Sequence, residues 1–226
     1  MNLPQEILDS VLEDWTTADI PERARAALRL LECMTLHPMD IDSYFVNELR
    51  QSGLDDLAIR EAANVGFHYN LINRVADAFD FPVPQALQKK RLASILNITG
   101  KLIRGSTAEQ VWARGEDGII RPTEVEIGRT HMLSTWGATT PETRQSVEAF
   151  AAAQWGQVRK NTHPLPRELD PYLKKLSLHA YKITDDDIND LRQAGYTDEM
   201  LYEITIVGSV GTALVGLEKL FEALYD

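Results

Sequence analysis

Leu49-Arg50-Gln51-Ser52-Gly53 returns 142 residues later as Leu191-Arg192-Gln193-Ala194-Gly195. The same offset aligns Leu31 with Leu173, Leu36 with Leu178, His37 with His179 and Ile41 with Ile183. It also aligns Asn47 with Asn189, Asp56 with Asp198, Glu61 with Glu203 and Val65-Gly66 with Val207-Gly208. Self-similarity at a fixed spacing marks a chain assembled from related units. A looser echo, Trp15…Pro21-Glu22 and Trp136…Pro141-Glu142, lies upstream at a different offset. The reading is two homologous helical units, 1–85 and 125–226, joined by a less regular connecting segment, 86–124.

Local signals around these anchors are helical. Pro4 and Pro21 read as first-turn prolines, where the missing N–H costs nothing. Gly53 and Gly195 read as left-handed stops after short helices. Thr184 with Asp187 makes a capping box, and Ser106 with Glu109 another. Asp55-Asp56 and Thr197-Asp198-Glu199 place acids at the positive end of two long helices, Asp56 to Phe79 and Asp198 to Leu224. Neither has a wide polar face in its middle, so both are expected to be buried on most sides. Thr140-Pro141-Glu142 opens a helix toward Trp155. Thr123 to Ile127 alternates and reads as extended, too short to imply a sheet. Pro82 to Pro84 and Asn161 to Pro166 read as connections. The expected fold class is all-α.

Composition narrows function by exclusion. The 226 residues carry 23 basic and 34 acidic side chains, a net charge of −11, with 44% hydrophobic and 25% charged residues. That is ordinary globular usage, and the negative charge disfavours a general nucleic-acid footprint. One cysteine, Cys33, permits no intrachain disulfide and no thiolate metal cluster. The acidic start lacks a secretory leader. The longest apolar run, Ile204 to Leu217, falls short of the roughly 20 residues needed to cross a bilayer. The expectation is a cytoplasmic chain without nucleic-acid or membrane partners.

Leu36-His37-Pro38, then Leu49-Arg50-Gln51-Ser52-Gly53-Leu54-Asp55-Asp56, then Tyr69-Asn70-Leu71-Ile72-Asn73-Arg74-Val75-Ala76-Asp77 resemble the peroxidase-related branch of the alkylhydroperoxidase D / carboxymuconolactone decarboxylase superfamily. Asn70, Asn73 and Arg74 match that branch's F-N-x-x-N-R positions, with Tyr69 in place of Phe. Ala180 to Asp185 and Ala194 to Glu199 are similar to the superfamily's other branch. The resemblance implies an all-helical fold and a homo-oligomer. It does not bring the family's C-x-x-C-x-x-x-H chemistry, because a single sulfur cannot be resolved by a second one.

The richest polar set lies on the first long helix. Glu61, Asn64 and His68 share a face, and a carboxylate near an imidazole is a minimal general-base arrangement, with His68 and Glu61 as catalytic candidates. Tyr69, Asn70, Asn73 and Arg74 are the substrate-binding candidates, Arg74 as a bidentate grip on a carboxylate. The same residues also fit mutual satisfaction in packing. Where the first helix carries these large side chains the second carries Gly208, Ser209, Gly211, Thr212, Ala213 and Gly216, so the large side chains are pictured lying over the small ones. His37 and His179 read as cations at helix C-termini, His131 near Trp136 as a weaker site candidate, and Lys89-Lys90-Arg91 with Lys101 and Arg104 as a solvated basic stretch. No residue set with metal-ligand spacing is present, and no cofactor is expected. Three functions follow: a small-molecule-binding or oligomeric scaffold protein without the redox pair, a cofactor-free acid/base enzyme acting on a small carboxylate, or a one-cysteine peroxidase using Cys33.

Overall fold

The computed structural model describes residues 4–81, 112–135, 137–161 and 163–225. Among them run nine α-helices and one hairpin. They are α1 (Gln5–Asp14), α2 (Glu22–Leu36), α3 (Ser43–Gln51), α4 (Asp56–Ala78), β1 (Trp112–Arg114), β2 (Ile120–Pro122), α5 (Thr123–Thr135), α6 (Pro141–Ala153), α7 (Asp170–His179), α8 (Asp185–Gln193) and α9 (Asp198–Tyr225). The chain is mostly helical, as expected. The capping box at Ser106, the basic stretch, the Pro82 to Pro84 connection and Trp136 lie outside the described residues.

Local chemistry sets the helix ends. Asp42 and Asp55 cap α3 and α4 by accepting from the Phe45 and Ala58 N–H groups, both at 2.8 Å. The Thr184 N–H donates to the Asp187 carboxylate at 2.9 Å, which closes the expected capping box of α8. Gly53 and Gly195 adopt φ of +92° and +99°, the left-handed turn that ends α3 and α8. Pro4 and Pro21 sit one residue earlier than expected, immediately before the first helical residue. Thr123 to Ile127 is not extended: it begins α5, with Glu124 and Glu126 in the first turn favouring helix at the positive dipole end. The extended backbone lies just upstream, where β1 and β2 pair antiparallel with Ala113 opposite Arg121.

Two apolar clusters make the core, and α9 runs through both. Its first half packs Leu201, Ile204 and Val207 against Val147 of α6, Leu173 and Leu176 of α7 and Leu191 of α8. Its second half packs Leu214, Leu217, Leu220 and Phe221 against Leu30, Val46, Leu49, Ile59 and Phe67 of α2 to α4. The helix is long and apolar enough, by length and composition, to cross a bilayer, but 83% of its most apolar stretch is buried inside the protein. The expectation for α9 therefore holds, whereas α4 departs from it. One side of α4 enters the core through Ile59, Ala63, Gly66 and Phe67, and the opposite side faces solvent.

Gly211 and Gly216 of α9 receive backbone, and Gly208 the Leu173 and Leu176 side chains of α7, not the large side chains of α4. A Cβ on Gly211 would lie 2.7 Å from the Glu148 carbonyl of α6, and one on Gly216 would lie 2.6 Å from the Met34 carbonyl of α2. No flexible side chain can yield at either place. Gly216→Ala is expected to lower stability by about 1–3 kcal/mol through overpacking. Gly128→Ala, in open space on α5, is expected to raise it by roughly 0.5–1 kcal/mol. Urea unfolding midpoints of the two variants check the contrast.

Candidate functional site

The sequence-predicted site divides between two sides of α4. Glu61, His68, Tyr69 and Asn73 are exposed, Tyr69 at 63%. The His68 Nδ1 donates to the Asn64 carbonyl oxygen at 2.7 Å, since a carbonyl only accepts. The imidazole is thus oriented by its own helix and not by Glu61. Asn70 is buried, and Arg74 is partly buried beside it. One Arg74 nitrogen donates to both the carbonyl and the side-chain oxygen of Asn70, and the other to the Ser177 carbonyl of α7 at 3.3 Å. Trp155 donates to that same carbonyl at 3.2 Å. Burial lowers the Arg74 pKa to about 10 against the opposing pull of Asp77, so the group remains cationic at neutral pH. Its donors tie α4 to α7. His37 and His179 end α2 and α7 as expected, and His131 is exposed on α5.

Glu61 and Glu203, which share the 142-residue offset, differ in use. Glu203 is buried and accepts from the Gly137, Ala138 and Thr139 N–H groups at 3.1, 2.9 and 2.8 Å. Burial raises its pKa, but these donors outweigh that and hold it below the ordinary value. It braces the turn that leads into α6.

A buried ionic cluster lies elsewhere. The hairpin turn supplies Asp117, β2 supplies Arg121, α5 supplies Glu126 and Arg129, α6 supplies Glu148, the following loop supplies Gln157 and Arg159, and α9 supplies Glu218. The Arg121 side chain is fully buried. It donates to Glu218 at 2.5 Å, to Glu126 at 2.7 Å, and through two nitrogens to Asp117 at 2.6 and 3.1 Å. Arg129 binds Glu148 bidentately at 2.5 and 2.9 Å. One Arg159 nitrogen reaches both Glu218 oxygens at 2.9 Å, and Gln157 donates to Glu218 at 3.1 Å. Three guanidinium groups thus meet four carboxylates. Burial pushes the Asp117 pKa up, yet the Arg121 hydrogen bonds and charge hold it at about 2. Arg121 loses through burial but gains more from Asp117 and Glu218, and its pKa rises. Both groups stay ionised at neutral pH, so they form a fixed polar floor and not a proton relay.

Beside this floor opens a cleft of about 430 Å³, lined by Met39, Arg114, Ile120, Gln157, Glu218 and Lys219 among others. Among the described residues the buried Gln157 side-chain oxygen has no hydrogen-bond partner, nor do Nε and Nη1 of Arg159. Arg121, Glu148, Arg159 and Glu218 escaped the sequence reading, although a signal existed. Glu218 interrupts Gly216-Leu217 and Leu220-Phe221, and Glu148 stands between Val147 and Phe150. A charge inside an apolar stripe needs a buried partner. Comparison with protein-family models, with curated proteins and with solved structures found no match.

Arg121→Met removes hydrogen-bond donors from three carboxylates, Asp117, Glu126 and Glu218, and a loss of about 3–5 kcal/mol in urea unfolding is expected. Asp117 has its pKa depressed from 3.8 to about 2. Its contribution is therefore present above the unfolded value and disappears as pH falls through the folded one. Relative to Asp117→Asn, the native chain should lose roughly 1 kcal/mol between about pH 5 and about pH 2, a figure reduced for solvent screening. Parallel denaturation of both forms across that range measures it.

Proposed function

We propose that this chain is a two-unit helical protein, akin to the alkylhydroperoxidase D / carboxymuconolactone decarboxylase superfamily, that binds a small polar molecule in the cleft above the Arg121–Glu218 cluster and lacks thiol redox turnover. Duplication is supported by matched local geometry at the 142-residue offset. Arg50 donates to Asp56 at 2.8 Å and to Asn47 at 3.0 Å. Arg192 donates to Asp198 at 2.9 Å and to Asn189 at 3.2 Å. His37 and His179 precede equivalent single-turn 3-10 segments with φ/ψ of −139°/49° and −152°/54°.

The state of Cys33 carries the functional reading. Its thiol is half-buried and donates to the His37 carbonyl at 3.3 Å. Burial, then the Asp40 charge, pushes its pKa up to about 11. Only about one molecule in 10⁴ then holds a thiolate at neutral pH, and the thiolate is the nucleophile that peroxide chemistry requires. The cleft volume suits a metabolite-sized ligand, and Gln157 brings a polar side chain to its lining.

Three measurements test the reading together. Native Cys33 should react with a thiol reagent orders of magnitude more slowly than the unfolded chain, and hydroperoxide loss should match that of Cys33→Ser. In thermal-shift screening of amino acids, amino alcohols and polyols, at least one compound should raise the melting temperature, and Gln157→Leu should abolish that rise. Sustained hydroperoxide turnover, or stabilisation unaffected by Gln157→Leu, overturns it.

A further inference from the structure

The end of α4 and the start of α9 present a row of aromatic rings to solvent, and we infer that this row docks an arginine-rich segment of a partner protein. Phe79 stacks on Phe81 at a centroid separation of 6.0 Å and on Tyr202 at 5.9 Å, the planes inclined by 24° and 23°. Phe81 is 57% exposed and Tyr202 53%, and half-buried Phe79 joins them. Each ring packs on the next, so no polar side chain interrupts the row. Tyr202 also lines a concavity of about 520 Å³ with Gly137, Ala138, Asp198, Glu199 and Glu203. Exposed aromatic surface of this kind marks an interaction face.

Backbone geometry builds the row. Beyond Ala78 the Asp80 N–H donates to the Asp77 carbonyl at 3.3 Å, and the Phe81 N–H to the Ala76 carbonyl at 2.9 Å. This pair of bonds ends a helix by turning one residue left-handed. That residue is Asp80, at φ +46°, the one non-glycine with positive φ among the described residues. Glycine occupies such a place at least cost. The aspartate therefore gives up some stability, and it sets a carboxylate between the two phenylalanines in the chain.

The charges around the row select the partner. Asp77, Asp80 and Glu199 are exposed, and among the described residues no cation or hydrogen-bond donor contacts their side chains. Asp77 acts on Arg74 only at longer range. Asp198, by contrast, holds Arg192 at 2.9 Å, and Glu203 is engaged by the turn before α6. No lysine or arginine lines the concavity. Aromatic faces edged by unneutralised carboxylates favour a group that is both flat and cationic. A guanidinium stacks on the ring and donates two hydrogen bonds to a carboxylate, whereas an ammonium brings charge without the plane. Three linked rings accept successive side chains of an extended segment, where a single small cation would use one. The net charge of −11 draws such a segment in. The face shares no lining residue with the Arg121–Glu218 cleft and does not depend on ligand binding there.

Fluorescence anisotropy of a dye-labelled peptide of alternating Arg and Gly, titrated with the full chain, tests it. Binding should saturate with a dissociation constant below about 1 mM at low salt and weaken as salt rises. The matching Lys-Gly peptide should bind roughly fivefold less tightly or worse. Tyr202→Ala and Phe81→Ala should each weaken binding by about fivefold or more, with the circular dichroism spectrum unchanged because both rings are more than half exposed. Tyr202→Phe keeps the ring and should retain native affinity, which separates lost stacking from misfolding. Tyr44→Ala, at an exposed ring on α3, should have no effect. Asp80→Gly should raise the melting temperature while weakening the peptide. Absence of saturable binding, equal binding of the lysine peptide, or an affinity indifferent to loss of both rings overturns the proposal. Binding that appears only after Lys89, Lys90 and Arg91 are changed to Gln gives the face to the chain's own basic stretch and overturns it as well.

Discussion

A helix as apolar as α9 cannot stand in water along its middle. From Leu201 to Phe221 nearly every side chain is enclosed, and burial of this kind is the main favourable term in folding. The remaining helices are arranged around that requirement: α6, α7 and α8 cover its first half, and α2, α3 and α4 its second. Two glycines set how closely the cover fits. Without a Cβ at 211 and 216, the α6 and α2 backbones come near enough to exclude solvent.

The same helix carries a charge into this interior. Glu218 follows Leu217 directly and is only 2% exposed. Its two oxygens take donors from Arg121, Arg159 and Gln157. A buried pair of this type contributes little net stability against an apolar substitute, but it dictates which segments meet. Here it binds the short hairpin and the loop after α6 to the end of α9, and so builds one wall of the cleft.

Much of the local architecture was legible because its causes are local. Gly53, Gly195, Asp55 and the Thr184–Asp187 pair each act within a few residues, and all mark real helix ends. The bounds of α4 and α9 followed from them. The solvent face of α4 was misread because Val65, Tyr69 and Ile72 look like core residues when only their type is weighed. Thr123 to Ile127 was misread because five residues carry too little periodicity to separate strand from helix. The ionic cluster was hidden for another reason: Arg121 and Glu218 are 97 positions apart, and no spacing rule links them. What the sequence did carry was the anomaly of a glutamate inside an apolar run.

That glutamate has an evolutionary consequence. Neither Arg121 nor Glu218 can be exchanged alone for an apolar residue without taking partners from charges in a dry interior. Exchanging the two together still deprives Arg159, Asp117 and Glu126 of theirs, so only replacement of the whole cluster approaches neutrality. One-at-a-time mutation must therefore cross a deep valley to reach an equally stable neighbour. Descendants of this chain will tend to keep the whole cluster or lose it wholesale, whether or not the cleft beside it still serves any purpose.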